Sequence, residues 1–223
     1  MKTLSILLLC TIVIFIGCSP CFNTIQTARM LNPKTIEITP SYTYYSDVKD
    51  EYNWVQHCYG GRLGIGITKN ISIYGQYGLV EFGSKSNKDN WSQVRIIGFG
   101  PKFNMTKPVD NKILGALYIP IGAYFEHLSD KINYFQAQPT MILTRQIVNN
   151  LDITSSTVLV ISKIRDDDEY GKFIAQDIGL DFHIKKFGIS IRPEVGIGIG
   201  EGSNNPVYQY SIGLSFAPSG YSK

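Results

Sequence analysis

The segment that decides the fold reads Ile36-Glu37-Ile38-Thr39-Pro40-Ser41-Tyr42-Thr43-Tyr44. Apolar and aromatic residues occupy its even positions, and polar residues occupy its odd positions. Because successive side chains of a β-strand point to opposite faces, this order predicts a strand with one apolar face and one polar face. A strand of this kind suits a sheet that separates two environments of different polarity.

The same alternation recurs along the rest of the chain. The segments predicted as strands are 35–45, 56–67, 71–82, 91–104, 113–127, 132–147, 151–161, 173–184, 189–199 and 207–217. A strand needs about 9 to 11 residues to cross a membrane, and each segment is long enough. The pattern therefore predicts an all-β fold, an antiparallel up-and-down transmembrane β-barrel of about ten strands, with eight as the alternative.

The beginning of the chain resembles a secretory leader. Lys2 precedes a predominantly apolar run from Leu4 to Ile16, which is short for a membrane-spanning helix. The motif Phe15-Ile16-Gly17-Cys18 is similar to a bacterial lipobox, in which the cysteine becomes acylated after cleavage. We therefore expect a signal peptide at 1–17 and lipidation of Cys18. The alternative is cleavage a few residues later, without a lipid.

These features divide the chain into a leader, a lipid-anchored N-terminal segment at 18–34, a barrel at 35–217 and a C-terminal tail at 218–223. Short predicted turns alternate with longer, more polar loops, as in bacterial outer-membrane barrels, whose short turns face the periplasm. An even number of strands places both barrel termini on that side. We expect a location in the outer membrane, with outer-membrane lipids around the barrel and a lipid on Cys18 in the periplasmic leaflet.

Aromatic residues fall toward both ends of the predicted strands. Those toward the loop side are Tyr42, Tyr44, Tyr59, Trp91 and Phe125, and those toward the short turns are Phe103, Phe187 and Phe216. Two such girdles are typical of barrels whose ends lie at the two membrane interfaces.

Charge and motif content argue against several other classes of protein. The net charge of +3 at pH 7 is small and dispersed, so we predict no nucleic-acid partner. The run Gly196-Ile197-Gly198-Ile199-Gly200 follows strand alternation and opens no helix, unlike a nucleotide-binding loop. We predict no cofactor.

The cysteines do not form a recognisable metal site. Cys18 and Cys21 spell CxxC, but no second CxxC or histidine pair completes a set of ligands, so no metal is predicted. An oxidising envelope would allow Cys21 to pair with Cys58, but this disulfide is not favoured because Cys58 falls within a predicted strand. The acidic loop 165–169 is interpreted as solvated, with calcium binding as the alternative.

Hairpin geometry predicts which side chains meet inside the barrel. If Ile184 faces Ile189, the opposing pairs are Asp181 with Arg192 and His183 with Ser190. If Ile67 faces Ile71, the pairs are Arg62 with Gln76 and Gly64 with Tyr74. A shift of one residue in either register would place these charges in lipid.

The polar face therefore predicts a cluster in the lumen, made of Arg62, Gln76, Asp177, Asp181, His183, Arg192 and Glu194. We interpret the cluster as structural, because narrow barrels fill their lumen with hydrogen bonds and ion pairs. Asp, His and Ser side chains together also allow a hydrolase, in which His183 would activate Ser190. We favour the structural interpretation and predict no catalysis.

Further motifs resemble small bacterial outer-membrane barrel proteins, many of unassigned function. They are Gln26-Thr27-Ala28-Arg29-Met30-Leu31 before the first strand and Gly98-Phe99-Gly100-Pro101-Lys102-Phe103 in the fourth. The final strand ends in Phe216, similar to the signal that the barrel-assembly machinery reads, although Pro218–Lys223 follow it here. The resemblance implies an outer-membrane barrel inserted by that machinery, and it implies no particular activity.

Three functional hypotheses follow. The first is an outer-membrane barrel of the cell envelope that has a structural or adhesive role or forms a narrow, porin-like channel. The sequence identifies neither a solute nor a surface ligand for it. The second is a periplasmic lipoprotein with a soluble, lipocalin-like barrel, which would carry its aliphatic residues inside. The third is an outer-membrane hydrolase that uses His183.

Overall fold

The computed structural model describes residues 25–47, 54–84, 87–106, 113–126, 132–164, 170–201 and 206–217. The strands in these ranges are β1 (Ile36–Asp47), β2 (Trp54–Gly66), β3 (Ile71–Ser84), β4 (Asn87–Asn104), β5 (Ile113–Tyr118), β6 (Ile121–Glu126), β7 (Ile132–Ala137), β8 (Thr140–Val148), β9 (Leu151–Ile164), β10 (Tyr170–Ile184), β11 (Ile189–Gly200) and β12 (Val207–Phe216). A 3-10 turn, Lys185–Phe187, joins β10 to β11. Within the described ranges, no helix is both long and apolar enough to cross a membrane.

The strands form one closed antiparallel sheet. Consecutive strands pair from β1 to β4 and from β9 to β12, and β1 pairs with β12, which closes the sheet into a barrel. Between them, β4 pairs with both β5 and β6, β5 pairs with β8, β6 pairs with β7, and both β7 and β8 pair with β9. Two spanning strands are interrupted at prolines: β5 and β6 are separated at Pro120, and β7 and β8 at Pro139. Proline has no N–H to donate to the ladder. Counting each interrupted pair as one gives the ten strands that the sequence predicted, and the eight-strand alternative is wrong.

The predicted registers are confirmed. Ile184 pairs with Ile189, and His183 pairs with Ser190. In the other hairpin, the pairs are Arg62 with Gln76 and Gly64 with Tyr74. A Cβ atom on Gly64 would lie 2.2 Å from Cε1 of Tyr74, so the glycine leaves the space that the tyrosine ring occupies.

The two faces of the sheet differ in polarity. On β1, Ile38 is 50% exposed on the outside, whereas Glu37 is 2% exposed inside. The same holds around the barrel, where the outward residues include Leu63, Ile73, Ile97, Phe99, Ile121, Phe135, Ile178, Val195, Ile212 and Leu214. The soluble, lipocalin-like alternative required aliphatic residues inside and charged residues outside. The described lumen instead holds buried charges together with smaller apolar clusters, and many aliphatic side chains are exposed on the outer face.

Residues 25–31, named here the lumen segment, lie inside the barrel. All of them except Arg29 are buried. The segment sits at the short-turn end, which is the end with the connections 67–70, 149–150 and 185–188. A turn joins it to β1, with the N–H of Thr35 donating to the carbonyl of Asn32 at 3.0 Å and Lys34 at φ 65°.

The sequence predicted a lipid-anchored segment at 18–34 without placing it relative to the barrel. Residues 25–31 of that range pack within the lumen, while Cys18 lies outside the described residues and its lipidation stays a prediction. The lumen segment has no strand alternation that would reveal this. Its position depends on hydrogen bonds to side chains from distant strands.

Candidate functional site

Glu37 on β1 is the centre of a buried polar network. Its Oε1 accepts hydrogen bonds from Nη1 of Arg192 at 2.7 Å and from the hydroxyl of Ser215 at 2.5 Å. Its Oε2 accepts one from the hydroxyl of Tyr74 at 3.1 Å. One carboxylate therefore joins β1 to β3, β11 and β12.

The predicted contact between Asp181 and Arg192 is present. Nε of Arg192 donates to Oδ2 of Asp181 at 3.0 Å, so the guanidinium bridges this carboxylate and that of Glu37. Both Asp181 and Arg192 are buried. Because an unpaired charge in such a position is costly, each member of this triad stabilises the others.

Lysine and arginine side chains hold the lumen segment by its backbone. Nζ of Lys102 donates to the carbonyls of Thr27 at 2.6 Å and Arg29 at 2.7 Å. Nη2 of Arg62 donates to the carbonyl of Ile25 at 2.8 Å. The segment is thus bound through its backbone carbonyls, which every residue carries. Its side chains make further contacts that add to this binding.

A second chain of hydrogen bonds lies at the short-turn end. Asp152 accepts from Nη2 of Arg29 at 2.9 Å and also from Nε of the same guanidinium. Nε2 of His183 lies 2.9 Å from Oδ2 of Asp152, and Nδ1 lies 3.0 Å from Oγ of Ser190. The order Asp152–His183–Ser190 resembles the order of groups that activates a serine nucleophile.

The surroundings of this chain favour a structural role. Ser190 is 3% exposed, which leaves little room for a substrate carbonyl beside its hydroxyl. Arg29 already neutralises Asp152 through both carboxylate oxygens. The ligand atoms of Asp152, Asp181 and His183 lie within 4.8 Å of one another, but Arg29 and Arg192 occupy the carboxylates. We interpret the group as an ion-pair network.

The remaining predicted cluster residues lie nearer the loop end. Oε1 of Glu194 accepts from Nε2 of Gln209 at 3.2 Å, and Gln209 also donates to Ser211 at 3.1 Å. Asp177 is fully buried, and a Cβ atom on Gly196 would lie 1.8 Å from its Oδ1. All seven predicted residues therefore lie on the lumen side of the wall. Some lie near the short-turn end of the barrel, and the others lie nearer the loop end.

Sequence reasoning missed at least four charged residues of the lumen, namely Glu37, Lys102, Asp152 and Arg29. The first three occupy inward positions of predicted strands, so alternation was a signal that could have found them. Arg29 precedes the first strand and offers no such signal.

Other predictions lie outside the described residues and stay predictions: the leader 1–17, Cys18, Cys21, the loop 165–169 and the tail 218–223. Cys58 is described, and it is buried on β2.

Aromatic side chains cluster on the outer face toward the loop end. Tyr44 pairs across strands with both Tyr210 and His57. The His57 ring stacks on Trp91 with 5.3 Å between ring centroids, and its Nδ1 lies 2.7 Å from the hydroxyl of Tyr42. At the short-turn end, Phe187 and Phe216 are exposed. Aromatic side chains thus lie on the barrel surface toward both ends, as predicted, and complete girdles stay a prediction.

A scan against protein-family models and a search of curated proteins gave no match. Among solved structures, the chain is similar to the outer membrane protease OmpT from Escherichia coli, with 10% identity, 86% of this chain and 100% of that chain covered, and a TM-score of 0.42. It is similar to the translocator domain of the autotransporter NalP from Neisseria meningitidis, with 8% identity, 83% and 89% covered, and a TM-score of 0.45.

A third similarity is to a loop L8 deletion mutant of OmpT, an outer membrane protein of Vibrio cholerae. The identity is 11% over 81% of this chain, with a TM-score of 0.41, and the chain spans 62% of the length of that protein. Identities this low do not relate the chain to the activity of any of these proteins.

Proposed function

We propose that this chain is an integral β-barrel of the bacterial outer membrane with a filled lumen. In this proposal it serves as a structural or adhesive platform for the loops at its outer end. The observation that carries the proposal is the polarity of the wall, with exposed aliphatic residues outside and buried charges inside.

The polarity favours lipid as the surroundings of the barrel. Isolated apolar residues are common on soluble proteins, but a continuous apolar belt is not. Here the apolar outward residues of neighbouring strands lie side by side, so the apolar surface is continuous from strand to strand. One such cross-strand row is Pro40, Gly61, Tyr77 and Ile97. Lipid would remove the cost of exposing this belt to water, and the closed sheet leaves no unpaired edge.

The filled lumen supports a platform over an open channel. The lumen segment crosses the short-turn end and is held by Arg62, Lys102 and Thr144. A solute passing through would have to displace these hydrogen bonds. The narrow-channel role therefore requires the segment to move, and we expect low conductance from the resting protein.

The orientation belongs to the same proposal. Both ends of the barrel lie at the short-turn end, which we place in the periplasm because short turns face that side in outer-membrane barrels. Lipidation of Cys18 would then anchor the chain in the inner leaflet. Outer-membrane lipids and, during insertion, the barrel-assembly machinery are the proposed partners.

A hydrolase is the second candidate, because the side chains of Asp152, His183 and Ser190 form one hydrogen-bonded chain. The burial of Ser190 and the salt bridge from Arg29 weigh against it. An esterase activity that disappears in Ser190→Ala, with the barrel still folded, would establish the enzyme. Absence of activity toward lipid and peptide esters would leave the structural role.

The experiment that tests the main proposal is heat-modifiable migration. Protein from washed outer membranes is run on SDS gels with and without boiling. We expect a shift on boiling and retention after carbonate or urea washing, because a closed barrel in lipid resists both treatments. No shift, with release from the membrane once the attachment at Cys18 is removed, would contradict the proposal.

A further inference from the structure

Three neighbouring strands present polar side chains at the same level of the lumen. Thr39 on β1 pairs across strands with Arg62 on β2, and Arg62 pairs with Gln76 on β3. Directly opposed residues of antiparallel strands lie about 5 Å apart, so these side chains form one short row. The row lies beside Ile25, where the lumen segment begins.

Each member of this row has an atom without a hydrogen-bond partner among the described residues. The atoms are Oγ1 of Thr39, Nε of Arg62 and Nε2 of Gln76, and all are buried. Thr39 is 2% exposed and Arg62 is 7% exposed. Since leaving a buried polar group without a hydrogen bond is costly, three of them in one place indicate an occupant.

The space for an occupant comes from the next row toward the loop end. That row reads Ser41, Gly60, Gly78 and Ile96 across β1 to β4, so its two central positions have no side chain. A small cavity of about 20 Å³, room for one water-sized particle, is lined by residues of both rows and by Cys58. The three residues that carry the unsatisfied atoms therefore line this cavity, and each of the atoms itself is buried.

The chemistry of the cavity is that of donors. The N–H groups of Arg62 and Gln76 can only donate, and the hydroxyl of Thr39 can also donate. No carboxylate is among the described residues that line the cavity. The nearby Glu37 is engaged by Arg192, Ser215 and Tyr74. The positive charge of Arg62 thus faces the cavity without a negative group on the cavity wall.

The guanidinium is held in place by its other contacts. Its Nη2 donates to the carbonyl of Ile25, and its central carbon lies 4.9 Å from the centroid of the Tyr74 ring. These contacts orient the side chain before any ligand arrives, which lowers the entropy cost of binding.

We propose that the row Thr39–Arg62–Gln76 is a binding site for a small anion, such as a halide or a carboxylate group, within the barrel lumen. The anion accepts hydrogen bonds from all three side chains and lies in the small cavity that Gly60 and Gly78 help to line. The site depends on the arrangement of β1 to β4 and of Ile25, and not on the role proposed for the barrel.

Chloride-35 NMR on the full chain in detergent micelles tests the proposal. We expect the wild-type protein to broaden the chloride signal, and Gln76→Leu to reduce that broadening several-fold because the row loses a donor. Gln209→Leu is the matched control, since Gln209 is also a lumen glutamine but donates to Glu194. Equal broadening by the wild type and Gln76→Leu, or none by either, would overturn the proposal.

A second pair of variants tests the cavity without changing a donor. A Cβ atom on Gly78 would lie 3.5 Å from Sγ of Cys58, an ordinary contact, so Gly78→Ala should fold while it narrows the site. Gly75→Ala is the control, because a Cβ there meets nothing within 4 Å. We expect weaker chloride broadening from the first variant alone.

Crystals soaked in bromide would locate the ion. Anomalous density within hydrogen-bonding distance of Nε of Arg62 supports the site. Density that instead shows the chain upstream of Ile25 filling the cavity, with its carbonyls accepting from the row, would overturn the proposal.

Discussion

Nη1 of Arg192 donates to Oε1 of Glu37 at 2.7 Å and so joins β11 to β1 across the intervening β12. The two residues are 155 positions apart in the chain, and both are buried. The contact spans the seam where the last strand meets the first. Closure of the barrel therefore rests on an ion pair in the lumen as well as on the backbone ladder between β1 and β12.

The first prediction concerns this pair. Glu37→Gln keeps the size of the side chain but removes the charge that faces Arg192. Breaking one partner of a buried ion pair costs about 3–5 kcal/mol, and we expect a loss of stability in that range. Urea unfolding of the protein in lipid vesicles measures it.

The matched control is Glu81→Gln on the outer face. Glu81 is half-buried and accepts from Nε2 of Gln93 at 2.6 Å. A partly exposed interaction of this kind contributes about 0–1 kcal/mol. Equal losses of unfolding free energy in the two variants would mean that the pair of Glu37 and Arg192 stabilises the barrel no more than an interaction on its outer face.

Strand positions and hairpin registers were predictable because both are local properties. Alternation of apolar and polar residues marks each strand, and a short turn such as 185–188 sets the register of the strands beside it. This is why the opposition of His183 and Ser190 could be predicted from the sequence.

The seam pair and the lumen segment could not be predicted in the same way. Alternation shows that Glu37 faces the lumen, but not which of the inward cations reaches it from two strands away. The lumen segment is held partly through its backbone by Lys102 and Arg62, and this part of its binding leaves no mark on its side-chain sequence. Both the seam pair and the position of the lumen segment depend on contacts between residues far apart in the chain, which form only when the barrel closes.

The second prediction concerns the closed lumen. Lys102→Met removes two hydrogen bonds to the lumen segment, each worth about 1.5–3 kcal/mol because the donor is charged. We expect the segment to leave the wall part of the time, which should produce conductance events in planar bilayers that the wild type lacks. Lys163→Met is the control, since Nζ of Lys163 lies 5.3 Å from the centroid of the Tyr170 ring on the outer face. Conductance unchanged in Lys102→Met would show that the segment does not limit passage.

The third prediction concerns the turn before β1. A Cβ atom on Gly66 would lie 2.1 Å from the carbonyl oxygen of Asn32, a backbone atom that cannot move alone. Gly66→Ala should therefore displace the turn and destabilise the barrel by several kcal/mol, within the range for overpacked sites. The folded fraction on unboiled gels measures the effect. Gly75→Ala has open space around its new methyl group and should fold like the wild type, so similar behaviour of the two alanine variants would refute the close approach.

The last prediction separates a barrel in lipid from a barrel in water. Ile97 lies near the middle of β4 and is 51% exposed on the outer face. A lysine at the centre of a bilayer costs about 2–4 kcal/mol on the lipid face of a barrel, and about 0–1 kcal/mol near the interfaces. We therefore expect Ile97→Lys to destabilise the protein in lipid vesicles strongly, and Ile147→Lys, at the end of β8, to have a small effect. In a water-soluble barrel, both lysines would be solvated and neither would cost stability. The depth dependence of the unfolding free energy therefore reports directly on the environment that the outer face meets.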